Sequence, residues 1–400
     1  MPEPASAPFF PDVGIVALVP NAWNRGSSTR QQFLVRLDKY FKVVWCNPPG
    51  EWRKLWHPRR LFAKSPPRAG AELLVYDPGR AFPELYRPVF LARLFERLRL
   101  QGAIRMLRRA GCRRIVLYVW RPRFGGVLAH GLHDLSIYHI DDEYSFSERE
   151  ESLDPVEARL IRDSDAVIIH SPALMEKKGG LNPNTRWIPN GVDFRAFSSP
   201  RAMPPELEGV RRPIMGYAGA IKKQLDFGLL AAVFTARPEW TLALVGGVEV
   251  VRGEEESLRT LLALPNVRSL GLQPMDRMPA FVQAFDVCLL PYKIDGYTKF
   301  IYPLKLHEYL AAGKPVVGVP IRTLLDFQGA IRIASGPAEW IEAMEAALAG
   351  NPGDAEARRN VARDFDWDRL SRRLAEAVCE GLGGDYPARL RAAGPTPSAP

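Results

Sequence analysis

The segment DGYTKFIYPLKLHEYLAAGKPVV, residues 295–317, sets a lysine and a glutamate three residues apart, Lys305 and Glu308. Pro303 suits the first turn of a helix and Gly313 the residue just past its end, so the two charged side chains share a helix and a face. A surface ion pair is the plain reading of that spacing. The order of the charges argues against it, because the cation lies toward the positive end of the helix dipole and the anion away from it. A phosphate held at the helix N-terminus would remove the conflict, since the loop before Pro303 offers free N–H groups. Lys305 would then meet a diphosphate, and Glu308 would accept hydrogen bonds from ribose hydroxyls.

Carboxylates at strand ends are the next candidates. Asp141 and Asp142 follow the run LSIYHI, residues 135–140, at its carboxyl end, where open parallel sheets bind their ligands. Asp142 fits an acid–base role and Asp141 acceptor binding, with capping of local N–H groups as the alternative for both. The loop 21–28 after the first strand run carries Trp23 and Arg25 and reads as an acceptor surface. Asp163-Ser164-Asp165 spells a D-x-D pair, but it sits between a helix and a strand and reads as a helix-end turn. Asp364, Asp366 and Asp368 read as caps of the final helix. His170 reads as a buried histidine, Ser171-Pro172 as an N-cap followed by proline, and Asn190-Gly191 as a turn that needs a positive φ. No metal and no other cofactor is expected.

These side chains need a scaffold, and the sequence supplies a repeating one. Short β-rich runs (VGIVALVP, FKVVWC, RIVLYVW, LSIYHI, DAVIIHS) alternate with helical patterns, which argues for parallel sheets covered on both faces. The proline-rich stretch 198–213 interrupts the rhythm, which then restarts with IMGYAG. The expected layout is one α/β domain over 1–205, a second over 206–362, a helix over 363–384 and a disordered tail over 385–400. The chain has 400 residues, 46% hydrophobic and 25% charged, the balance of a globular protein with two cores. Its four cysteines are scattered and form no C-x-x-C, which points to a reducing compartment and a cytoplasmic setting. Neither a signal peptide nor a membrane-spanning run is evident. The net charge is +9, and arginines crowd residues 87–114. There Phe90, Leu91, Leu94, Leu98 and Leu100 fall on one face of an amphipathic helix whose arginines are either solvated or set against an anionic membrane at its inner face. Nucleic acid is not expected, because no recognised binding module accompanies the charge.

The run from Pro303 through Val317 resembles the C-terminal helix P-x-K-x-x-E-Y-L-A-x-G-K-P-V-V of the retaining GT-B glycosyltransferases of family 4, the group 1 glycosyltransferases. Residues 266–292 are similar to that family's strand, base-binding loop, helix and strand. WIPNGVDFRAF, residues 187–197, resembles its I-P-N-G-V-D-x-x-x-F segment. YHIDDEYSF, residues 138–146, resembles a subgroup of teichuronic-acid type from cell-surface polysaccharide loci. The resemblance implies an α/β GT-B fold, with two Rossmann-like domains facing a cleft: 1–205 would bind the acceptor, 206–362 the donor, and the helix over 363–384 would cross back to the first domain. It implies a nucleotide-sugar donor, a glycan or lipid-linked glycan acceptor, and a hexosyl transfer with retention. The donor would lie by Gly219, Lys223, Leu272 and Gln273 and by the amides of Lys299, Phe300, Ile301 and Tyr302. Two departures stand out: Phe300 occupies the place of the first glutamate of the family's E-x7-E motif, and Ala220 follows Gly219 where arginine is common. A sugar-nucleotide epimerase and a non-catalytic GT-B scaffold subunit remain as alternatives.

Overall fold

The computed structural model describes residues 7–23, 28–50, 73–78, 82–85, 87–146, 151–351 and 353–394. The N-terminal half runs β1 (Phe10–Leu18), α1 (Thr29–Leu37), β2 (Phe41–Cys46), β3 (Leu74–Tyr76), α2 (Val89–Arg109), β4 (Arg114–Val119), β5 (Leu135–Ile140), α3 (Pro155–Asp163), β6 (Ala166–Ile169), α4 (Pro172–Lys178), β7 (Thr185–Trp187) and α5 (Phe194–Ser198). The C-terminal half runs β8 (Ile214–Ala218), α6 (Phe227–Ala236), β9 (Thr241–Val245), α7 (Glu255–Leu262), β10 (Val267–Ser269), α8 (Met278–Ala284), β11 (Val287–Leu290), α9 (Leu304–Ala311), β12 (Val316–Gly318), α10 (Arg322–Leu325), β13 (Arg332–Ile333), α11 (Gly336–Leu348) and α12 (Asp354–Arg363). The chain closes with α13 (Trp367–Leu382) and α14 (Tyr386–Ala392).

Among the described residues the strands form two sheets, β3-β2-β1-β4-β5-β6-β7 and β10-β9-β8-β11-β12-β13, and every pair within them is parallel. Each sheet reverses its strand order once, between β1 and β4 and between β8 and β11, which opens a crevice at the carboxyl ends. Strands such as β6, AVII and buried at every position, read as continuous apolar runs because helices cover both faces. Local signals start the helices. Ser28 and Gln31 form a reciprocal capping box on α1, and Ser171 caps α4 just before Pro172.

Four details differ from the sequence reading. The tail from residue 385 is not disordered throughout, because α14 buries Tyr386 and Leu390 against the N-terminal core. The switch between halves comes before the proline-rich stretch: Val192 and Phe197 already belong to the C-terminal core, and α5 packs on α8 and α9. Gly191 is not among the glycines with positive φ. Its lack of a side chain is steric, since a Cβ would lie 2.6 Å from the Phe365 carbonyl oxygen. Finally, α2 meets the sheet through Leu100, Ala103 and Leu107, leaving Phe90 and Leu94 exposed. No helix among the described residues is long and apolar enough to cross a membrane.

Two histidines sit in these cores without charge. His139 stacks on Trp120, with ring centres 4.0 Å apart, and its Nδ1 lies 2.6 Å from the Tyr118 hydroxyl. His307 stacks on Phe365 at 3.9 Å and meets the Tyr302 hydroxyl at 2.9 Å. Burial pushes both rings down to about 3 from the ordinary 6.5. The unfolded chain therefore binds more protons than the folded one between those two values, and stability falls as pH drops through the window. Each ring should remove about 2 kcal/mol of stability at pH 5 relative to neutrality. The melting temperature should accordingly fall on acidification, and by a smaller margin in His139→Gln. An identical fall in the variant would refute the assignment.

Candidate active site

The C-terminal half of the cleft is built on glycine. Ala218 ends β8 and hands the chain to Gly219, which has φ 147°. A Cβ on Gly219 would lie 1.9 Å from Cε and 2.4 Å from Nζ of Lys305. Lys305, in the first turn of α9, therefore lies directly over bare backbone, with its ammonium 5.3 Å from the centre of the Tyr217 ring. Gly246, past the end of β9, has φ 152°, and a Cβ there would lie 2.1 Å from the Gly219 carbonyl oxygen. Its N–H donates to the Gly271 carbonyl at 2.8 Å, and Gly271 follows β10 with φ 63°. Three neighbouring strand ends thus present a floor without side chains, open to close approach by a phosphate.

Glu308 stands one turn along α9 from Lys305 and is half-buried. Burial raises its carboxyl pKa, and the Lys305 charge works in the opposite direction. The helix is pinned to the sheet by the Ala218 N–H, which donates to the Tyr309 hydroxyl at 2.9 Å. Leu272, 83% exposed, stands free on the loop after β10, while Gln273 is tied to the Leu270 carbonyl and to Arg277. Lys223, Lys293, Arg252 and Tyr297 line a cavity of about 430 Å³ with Phe146 from the other half on its rim. Lys222 is drawn off to Glu249 at 3.1 Å, so Lys223 is the lysine of that pair that lines the cavity.

The amides expected to cradle a diphosphate are partly committed elsewhere. The N–H groups of Phe300 and Ile301 donate to Tyr297 and Thr298 within a tight turn. The Tyr302 carbonyl accepts from Asn190 at 3.0 Å, and its ring is buried beside His307. Phe300 is buried in the apolar cluster of the N-terminal half, with the ammonium groups of Lys299 and Lys177 at 4.8 and 5.3 Å from its ring centre. The Phe300 and Ile301 N–H groups are thus used inside the turn, and the Phe300 ring packs against the other half.

Across the cleft, Asp141 is clamped. Arg30 reaches it at 2.5 Å and Arg121 at 2.6 Å, and the Tyr144 hydroxyl donates to it. Burial alone would raise its pKa, but the two guanidinium groups and the tyrosine hydroxyl hold it below the usual carboxylate range. A carboxylate so occupied is poorly suited to take a proton from a substrate. Asp142 accepts from the Tyr297 hydroxyl of the opposite half at 3.0 Å, and burial followed by the Asp142 charge raises the Tyr297 pKa. Behind both, Lys178 is fully buried between Glu143 at 3.0 Å and Glu157 at 2.9 Å, with the Tyr138 hydroxyl on Glu157. Sequence reasoning missed Arg30, Arg121, Tyr144 and Tyr297. The run IDDEYSF marked the place, but nothing local named the arginines, which arrive from α1 and the end of β4.

The remaining candidates are placed as follows. Trp23 packs edge-on against Trp45, and its N–H donates to the Asn47 side chain. Arg25 lies outside the described residues. Asp165 accepts from the Ser136 N–H and hydroxyl at the amino-terminal edge of the sheet, far from the cleft, and Asp163 pairs with Arg159. Asp366 caps α13 through the Asp368 N–H, and His170 bonds the Ile140 carbonyl at 3.0 Å. Among the described residues no group of three His, Cys, Asp or Glu could hold a metal ion.

Residues 212–350, the glycine floor and α9 included, match the family model described as Glycosyl transferases group 1. The chain is 32% identical over 238 residues to the putative teichuronic acid biosynthesis glycosyltransferase TuaH of Bacillus subtilis (strain 168), covering 56% of this chain and 59% of that protein. Among solved structures, HepE of Anabaena in complex with UDP superposes with a TM-score of 0.65 at 15% identity, over 92% of this chain and 100% of that one. Sucrose-phosphate synthase of Thermosynechococcus elongatus gives 0.64 at 16% identity, over 96% of this chain and 100% of that one. Residues 212–350 thus resemble the group 1 glycosyl transferases, within a chain that has a GT-B fold of two parallel-sheet α/β domains.

Proposed function

We propose that the chain transfers a hexosyl group from a nucleotide-sugar to a glycan or lipid-linked glycan in cell-surface polysaccharide synthesis, with retention of anomeric configuration. The observation that carries this reading is Lys305 lying on the bare backbone of Gly219, with Glu308 one turn further along the same helix. An ammonium in that place meets the diphosphate, where negative charge grows as the glycosyl–phosphate bond breaks. Glu308 accepts hydrogen bonds from the ribose hydroxyls, and Leu272 and Gln273 border the base. UDP, the ligand of the HepE structure, is the first nucleotide to test. On the acceptor side, Asp142 orients the incoming hydroxyl, while Asp141 holds Arg30 and Arg121 in place. The group 1 domain, the glycine floor and the likeness to a teichuronic acid glycosyltransferase support this reading. Phe300, apolar and buried, favours a second one, a nucleotide-binding GT-B subunit without turnover.

Calorimetric titration with UDP, GDP, TDP and ADP distinguishes the bases and tests the site. Glu308→Ala should weaken binding of the preferred nucleotide by about 1.5–3 kcal/mol, the loss of hydrogen bonds to a charged group. Equal affinity in mutant and wild type would remove Glu308 from the ribose site. Lys305→Ala should lower kcat more than it raises the donor KM, because its interaction strengthens toward the transition state. A change confined to KM would make Lys305 a binding residue only. Gly219→Ala should displace Lys305 and strain the backbone by roughly 1–3 kcal/mol, read as a lower urea midpoint together with weaker nucleotide binding. An alanine variant as stable as the wild type would show that the close approach is not needed. Nucleotide binding without release of sugar from any donor would favour the non-catalytic reading.

A further inference from the structure

Helix α2 turns the wrong residues outward for a protein that meets only water. Val89, Phe90 and Leu94 are 58%, 69% and 46% exposed, all at its N-terminal end. Its buried residues, Leu100, Ala103 and Leu107, lie in the second half. Arg87, Arg93, Arg97, Arg105, Arg108 and Arg109 are exposed beside and beyond the apolar end. Glu96, the acid of the helix, is turned away from that face and bonds His130 at 3.1 Å. Arg99 also points inward, to the carbonyls of Phe82 and Pro83. The outward face therefore carries cations and three large apolar side chains, with no carboxylate among them.

Direction gives this face a purpose. In a parallel β-helix-β unit the helix runs back against the strands, so the start of α2 lies at the carboxyl edge of the sheet. That is the edge where Asp141 and Asp142 face the cleft. We infer that the α2 face docks on an anionic lipid surface, with Val89, Phe90 and Leu94 entering the boundary between headgroups and acyl chains and the arginines meeting lipid phosphates. Solvated arginines alone leave the exposed apolar side chains unexplained, and a nucleic-acid backbone offers Val89 and Leu94 no apolar partner. A bilayer satisfies both. The surface lies apart from the donor site and does not depend on the transfer reading.

Vesicle sedimentation of the full chain tests the inference, using phosphatidylcholine alone and phosphatidylcholine mixed with phosphatidylglycerol, at low and high salt. The protein should sediment with the anionic vesicles at low salt and keep part of that binding at high salt, because apolar burial is not screened. Arg93→Gln with Arg97→Gln should weaken partition at low salt by roughly thirtyfold. Phe90→Ser with Leu94→Ser should abolish the salt-resistant part. All four positions are exposed, so melting temperature and nucleotide binding should match the wild type, which separates this surface from the donor site. Absence of binding to anionic vesicles at low salt would overturn the inference, as would arginine variants that sediment like the wild type. Binding that is wholly lost at high salt, indifferent to Phe90→Ser and Leu94→Ser and displaced by duplex DNA would also overturn it, by marking a general polyanion surface.

Discussion

The two halves face each other because the chain ends by returning to its beginning. Helix α13 carries Trp367, Leu370, Leu374 and Val378 into the same core as Phe33, Trp45 and Tyr118 of the first domain. The return is fixed by backbone pairing at one point, where the Val192 N–H donates to the Phe365 carbonyl and the Trp367 N–H to the Val192 carbonyl. Gly191 lets the strands of chain come that close. Asp366 then serves both sides, capping α13 and accepting from the Phe194 N–H at 3.1 Å. A chain that merely ended at α12 would hold its sheets together through far less buried surface, and the carboxyl edges would lose their fixed opposition.

Across that opposition the two halves solve different electrostatic problems. The C-terminal side offers hydrogen-bond donors and space: glycine backbone, a lysine lying on it, and a cavity lined by Lys223, Arg252 and Lys293. The other side is already neutralised from within. Asp141 shares two guanidinium groups, and the buried Lys178 ammonium sits between two carboxylates. Burying ions is tolerable only when each has its partners, and removing one leaves an uncompensated charge. The N-terminal wall is therefore stiff, and the C-terminal wall has room for a guest.

Legibility in the sequence followed the range of the interactions. The alternation of strands and helices, the capping box at Ser28, the Ser171-Pro172 start and the α9 helix all rest on neighbours within a few residues, and these were readable. Lys305 and Glu308 share a face for the same reason. Arg30 and Arg121 on Asp141, or Tyr297 on Asp142, join residues that are 111, 20 and 155 positions apart, and no local pattern announces such meetings. Gly191 looked like a turn because glycine after asparagine usually is one; the contact that excludes a side chain comes from residue 365. For α2 the apolar periodicity was genuine, but periodicity alone does not say which part of a long helix reaches the core.

Phe300 has a consequence of its own for how the halves move. It is carried by the C-terminal half yet seated in the apolar cluster of the N-terminal half, 4% exposed, with two ammonium groups over its ring. Swinging the halves apart means drawing a phenyl ring from its socket into water, at a cost of roughly 1.5–3 kcal/mol. The joint thus behaves as a press-stud rather than a loose hinge: the seated state dominates, and the unseated one is a minor population reached in a single step. Only rocking motions small enough to keep the ring in its socket escape that cost.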